Sequence, residues 1–244
     1  TGDVLDARES DQGINERHFP GWRNLLTPHP YWNQPGELRV ALEDGEEVLE
    51  NKGRERCLIA GEELWGDYAV EATVRQMSDK TKPNHDDEYC MVARTGVVLR
   101  QQDVRRYYLF CIEGYSKAVL YRREDDVYFP LGVHTGVFYS GRYYTLRAEV
   151  TGDRFRCFLD GNLVCEGEDG VYGSGKAGIR TNALSRFKGV RATTGKAGQS
   201  AYVSAMDKEE KKLGELRESY PKPVLWKKLE PYRGEEVICR FGDL

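Results

Sequence analysis

GRYYTLRAEVTGDRFRCFLDGNLVCEG, residues 141–167, and GSGKAGIRTNALSRFKGVRATT, residues 173–194, decide the fold. Thr145, Arg147 and Glu149 alternate with Leu146, Ala148 and Val150, the period of a strand with one wet and one buried face. The chain turns at Thr151-Gly152-Asp153. A second strand over Arg154–Leu159 turns at Asp160-Gly161-Asn162 and returns through Leu163 to Cys165. Asp-Gly between alternating apolar residues is the strongest short-range hairpin signal. A glycine-rich turn then leads to short strands over Ala177–Thr181 and Phe187–Thr193.

The same pattern extends towards the N-terminus. ELRVALEDGEEVLEN reads as a hairpin with Asp44-Gly45 at its tip. Cys57–Ala60 and Asp67–Gln76 follow as strands, the second with clear alternation. Met77–Asp87 is a polar loop. Glu88–Thr95, Val97–Gln101, Tyr107–Glu113 and Lys117–Arg123 read as successive antiparallel strands, with turn residues between them at near-regular spacing. Residues 1–34 carry three prolines, with Pro35 just beyond, near Trp22, Tyr31 and Trp32, and read as an irregular wrap. Ser200–Tyr220 has a thin apolar stripe of Leu213, Leu216 and Tyr220, ended by Pro221 and Pro223, as a surface helix has. The expected fold is an all-β, two-sheet antiparallel jelly-roll sandwich over 35–195, with an N-terminal extension (1–34) and a C-terminal helix plus linker (196–244). Val70, Ala72, Val74, Leu146, Ala148, Phe155 and Leu159 should form its core.

Composition narrows the function. With 36 basic and 40 acidic residues in 244, no general basic field attracts nucleic acid. No apolar run approaches the roughly 20 residues of a membrane span. The chain begins at Thr1, so the lack of a leader carries no weight. Fifteen tyrosines against three methionines suit a sheet protein. The cysteines, Cys57, Cys90, Cys111, Cys157, Cys165 and Cys239, include no CxxC pair, and most read as small buried hydrophobes. Cys157 and Cys165 sit opposite each other if Asp160–Asn162 is a three-residue loop, although a bridge between adjacent strands is geometrically awkward.

The strand order over 141–194 resembles the closing strands of the concanavalin A-like (laminin G-like) jelly roll, where an Asp-Gly hairpin and a GxxGI strand recur. ARTGVVLRQQDVRRYYLFCIEGYSKAVLYRRED, residues 93–125, is similar to a strand pattern of carbohydrate-associated jelly rolls. A sugar site needs a flat aromatic surface and forked donors. Arg94, Arg100, Tyr107, Glu113, Tyr121 and Arg122 supply those types on neighbouring strands and are the candidate ligand-binding residues. PVLWKKLEPYRGEEVICRFGDL, residues 223–244, resembles the entry into an FG-GAP-type propeller of rhamnogalacturonan-lyase-like secreted proteins. That resemblance implies a secreted multidomain polysaccharide-degrading protein. Calcium is left open by the incomplete loop at Asp243, and no other cofactor is expected.

The templates of related enzymes are unmet. Jelly-roll β-glucanases carry an ExDxxE strand whose alternate carboxylates face the sugar. Here Glu46-Glu47, Asp125-Asp126 and Glu235-Glu236 are adjacent pairs that point to opposite faces. Alginate-lyase jelly rolls carry an RTEL-like strand with partner motifs, whereas Arg94-Thr95 runs into Gly96. His85-Asp86-Asp87-Glu88 lies in a polar loop, and consecutive ligands rarely converge on a cation. The expected role is therefore a non-catalytic carbohydrate-binding or accessory domain with a polysaccharide or oligosaccharide ligand and a propeller-like neighbour. A lyase or glycosidase of unrecognised pattern and a structural spacer are the alternatives.

Overall fold

A computed structural model describes residues 22–26, 38–51, 56–77 and 93–219. The chain divides into two compact units, Thr1–Ala205 and Met206–Leu244. Among its described residues the first contains fourteen strands: β1 (Trp22–Leu26), β2 (Leu38–Glu43), β3 (Glu46–Asn51), β4 (Arg56–Ala60), β5 (Tyr68–Gln76), β6 (Arg94–Asp103), β7 (Arg106–Glu113), β8 (Lys117–Glu124), β9 (Val127–Thr135), β10 (Tyr144–Thr151), β11 (Arg154–Leu159), β12 (Asn162–Glu168), β13 (Lys176–Thr181) and β14 (Ser185–Thr193). One helix, α1 (Lys196–Ser219), follows. The strands form two seven-stranded sheets, ordered β1-β4-β13-β6-β7-β8-β9 and β12-β11-β10-β5-β14-β3-β2. This is an all-β antiparallel jelly-roll sandwich.

The turn chemistry sets the hairpins. Asp44-Gly45 and Asp160-Gly161 both hold positive φ, as a two-residue turn matching strand twist requires. Asn162 thus belongs to β12 rather than to a three-residue loop. A bulge beside Cys157 takes up the difference and restores the pairing of Cys157 with Cys165. Their thiols are free, and burial pushes the Cys157 thiol well above its usual pKa.

The second sheet behaves as its alternation dictates. Val70, Ala72, Val74, Leu146, Ala148 and Phe155 are buried, and Leu159 is half-buried at the strand end. Its outer face carries Thr73, Arg147 and Glu71, joined across strands by a hydroxyl pair of 3.0 Å (Thr73–Thr145) and an ion pair of 3.6 Å (Arg147–Glu71).

The first sheet differs, because β7 is buried from Tyr107 to Glu113 without alternation. Val97, Leu99, Tyr108, Phe110 and Leu120 fill the space between the sheets. Val98, Tyr107, Leu109, Cys111, Val119 and Tyr121 form a second cluster on the outer face, with Cys57 and Ile59 of β4.

Three elements depart from the sequence reading. The successive strands expected over Glu88–Thr95 and Val97–Gln101 are, within the described residues, one strand, β6, that runs through Gly96. Trp22–Leu26, expected within an irregular wrap, pairs antiparallel with β4. Val127–Thr135 forms the edge strand β9, unannounced because Pro130, Gly132 and mostly exposed side chains erase any apolar period. Glu88–Met91, Cys90 and Cys239, and the loop containing His85–Asp87, lie outside the described residues.

Candidate functional site

The antiparallel register places Arg94 of β6, Glu113 of β7, Lys117 of β8 and Thr135 of β9 in one row across four adjacent strands. Register partners share a face. Three interstrand gaps make the row about 14 Å long. Arg94 Nε donates to Glu113 Oε2 at 2.8 Å, and the Tyr121 hydroxyl donates to the same oxygen at 2.7 Å. Burial followed by the Glu113 carboxylate raises the Tyr121 phenol above its usual pKa. Burial also opposes the charge on Arg94, but Glu113 outweighs it and the guanidinium pKa rises. Arg94 therefore keeps its positive charge beside the Glu113 carboxyl group.

Tyr128 of β9 completes the site. Its ring lies 4.3 Å from the Arg94 guanidinium, 5.3 Å from Arg123 and 5.7 Å from Arg180, and meets Tyr121 edge-on at 5.5 Å. Arg123 also donates to the Tyr107 hydroxyl at 2.6 Å. Such contacts hold cations by the ring quadrupole and fix their direction. Exposure varies along the row: Arg94 is half-buried, Glu113 buried, and Lys117 and Thr135 exposed, beside exposed Pro130 and Val133. The arrangement offers forked and point-charge donors and one partly exposed ring, Tyr128, above the buried Tyr121 ring and Glu113 carboxylate.

Four candidates from the sequence, Arg94, Tyr107, Glu113 and Tyr121, lie on this face, with Tyr107 entirely below the surface. The other two lie elsewhere. Arg122 is the register partner of inward-facing Tyr108, and both side chains bond Asp169, at 2.6 Å each. Arg100 sits at a bulge with φ of 47° and is 2 % exposed. Its guanidinium donates to the carbonyls of Gly66 (3.1 Å), Tyr172 (3.0 Å) and Gly152 (2.7 Å). These two arginines fasten loops, a role the alternation of β6 and β8 could not reveal. Tyr128, Arg123 and Arg180 were missed. Arg180 had a signal, its place between inward Ile179 and Thr181, while Tyr128 depended on an unread strand.

Glu113 is committed to Arg94 and Tyr121. Among the described residues no group of three or more histidine, cysteine, aspartate or glutamate side chains could hold a metal ion.

No family model matches this chain, and no curated protein matches it. Its fold is shared with solved structures. The carbohydrate-binding module CBM66 from Bacillus subtilis is 17 % identical, covers 71 % of this chain and 96 % of its own length, and superposes with a TM-score of 0.53. A GH43 protein from Bacillus licheniformis is 13 % identical over 72 % of this chain and 37 % of its own, with a TM-score of 0.48. A Caenorhabditis elegans galectin is 12 % identical over 55 % and 87 %, with a TM-score of 0.42. The likeness to the Bacillus subtilis module establishes a shared sandwich fold.

Proposed function

We propose that this chain is a non-catalytic carbohydrate-binding domain whose ligand lies along the β8–β9 margin of the first sheet. The observation that carries the reading is the row Arg94–Glu113–Lys117–Thr135 beside Tyr121 and Tyr128. An aromatic surface accepts the apolar face of a sugar ring, while arginine and lysine donate to hydroxyls or to a uronate carboxylate. The excess of guanidinium over carboxylate around Tyr128 favours an acidic polysaccharide. The fold it shares with a carbohydrate-binding module supports the same class. A secreted, multidomain parent in which residues 223–244 lead into a propeller-like domain fits this role, and those residues lie outside the described part of the chain.

A glycan array with an unsaturated-product and reducing-end assay tests the proposal. Binding of uronate-containing glycans without turnover is expected. Arg94→Ala should weaken it roughly tenfold and Lys117→Ala by about half that. The affinity should fall as salt rises, since attraction at a wet surface is screened over about 8 Å at physiological ionic strength. Turnover would replace the module by an enzyme. Silence from a folded protein would leave a spacer.

A further inference from the structure

A cavity of about 360 Å³ lies in the first unit, away from the row. It is lined by Trp65, Asp67, Tyr68, Thr193, Gln199 and Tyr202, with smaller residues between them. Its volume falls within the roughly 300–1,000 Å³ of small-molecule sites. Its walls are the β4–β5 loop, the end of β14 and the first two turns of α1.

Each wall is fixed independently of any ligand. A Cβ on Gly61 would meet the Trp65 ring at 2.5 Å, so one indole face rests directly on that glycine. The indole edge meets Tyr68 at 5.8 Å, and the Trp65 carbonyl accepts the Gly175 N–H at 2.9 Å. Asp67 Oδ1 accepts the Gly152 N–H at 2.9 Å and lies 3.7 Å from the Arg100 guanidinium. The start of α1 is held against this loop. Thr194 Oγ1 donates to the Asp67 carbonyl at 2.7 Å, and a Cβ on Gly198 would meet that carbonyl at 2.5 Å. Only glycine permits that approach.

The lining has a definite chemistry. The Trp65 indole and the rings of Tyr68 and Tyr202 supply flat apolar surface. The Asp67 carboxylate, the Gln199 amide, the Tyr202 hydroxyl and the Thr193 hydroxyl supply acceptors and donors at its margin. Among the described residues, Gln199 and Tyr202 spend no side-chain hydrogen bond within the chain. Among the described residues no lysine or arginine lines the cavity, and Asp67 is the one charged residue in its lining. An anion is therefore disfavoured. We infer that this cavity is a second binding site, for a neutral mono- or disaccharide whose ring stacks on Trp65 and whose hydroxyls bond Asp67, Gln199 and Tyr202. The assignment is independent of the β8–β9 margin, which favours acidic glycans.

Calorimetric titration of the full chain with cellobiose, xylobiose, maltose and galactobiose tests it. At least one should bind saturably, with affinity unchanged between low and high salt. Tyr202→Ala and Gln199→Ala change side chains on the helix surface and leave the core untouched. Each should weaken binding roughly tenfold, as should Asp67→Asn. Arg94→Ala should leave it unchanged. The inference is overturned if none of the four sugars binds the folded protein, or if binding survives Tyr202→Ala and Gln199→Ala. Loss of neutral-sugar binding in Arg94→Ala would also overturn it and assign that binding to the row. The uronate arm of the array reads the row separately, so the two proposals fail independently.

Discussion

Arg100 shows how far a single residue's role departs from its type. An arginine on a sheet strand suggests an exposed donor, yet this one is buried and saturated by carbonyls of three loops. Removing it leaves those carbonyls, the one of Tyr172 in a buried place, without their donor. Arg100→Ala should cost about 3 kcal/mol or more, read as a lower urea midpoint. Arg100→Lys should recover little of this, because one ammonium cannot span three diverging acceptors. An unchanged midpoint would mean that water replaces the guanidinium freely.

Glu43 yields a pH dependence at the same scale. It accepts from the Tyr143 hydroxyl, and its Oε1 lies 2.5 Å from Arg75 and 2.8 Å from Arg186. The Tyr143 bond lowers the carboxyl pKa most; burial opposes, and the two arginines add to the lowering. A carboxyl depressed in the folded state stabilises the fold fully above its unfolded pKa of about 4.3. That contribution disappears as pH falls through the lower folded value. Urea midpoints should therefore drop on acidification below about pH 5, and Glu43→Gln should flatten that slope while lowering the plateau at pH 7. A variant with the wild-type acid slope would remove Glu43 from the explanation.

At the scale of elements, β6 and β7 approach closely at Gly96. A Cβ there would overlap the Phe110 carbonyl and lie 2.5 Å from Cys111 Cα, both backbone atoms that cannot swing aside. Gly96→Ala should cost about 3 kcal/mol by forcing the central strands apart, and thermal unfolding of the variant measures it. This contact was not legible in the sequence, where Gly96 only interrupted a motif.

The hairpins were legible because local rules determine them: Asp-Gly turns and period-two alternation persist wherever one face is wet. The central strands were legible as strands, but burial on both faces removed the alternation that tells which side chain points where. Hence Arg94, Glu113 and Tyr121 were assembled correctly as neighbours, while Arg100 and Arg122 were grouped with them despite facing the other way. The edge strand β9 left no apolar pattern, and with it the central aromatic of the site, Tyr128, went unread.

At the scale of the whole molecule, α1 buries none of its residues. Its first turns nevertheless form one wall of the cavity, while the part from Met206 onward belongs to the second unit. Apolar burial, the main source of cooperative stability, therefore lies in the strands. A chain ending at Ala205 should unfold in one transition, within about 3 °C of the full chain, since a shift of about 2–4 °C corresponds to roughly 1 kcal/mol in domains of about 150–250 residues. It should retain both sugar-binding activities. A chain ending at Gly195 should still fold and still bind uronate glycans in a salt-sensitive way. It should lose the neutral disaccharide, because Gly198, Gln199, Tyr202 and Val203 go with the helix. Scanning calorimetry on the two truncations, each titrated with both ligand classes, separates stability from binding. A fall of more than about 10 °C on truncation at Ala205 would show that the second unit shares the sandwich's cooperative core. Neutral-sugar binding that persists in the chain ending at Gly195 would place that ligand on the strands alone.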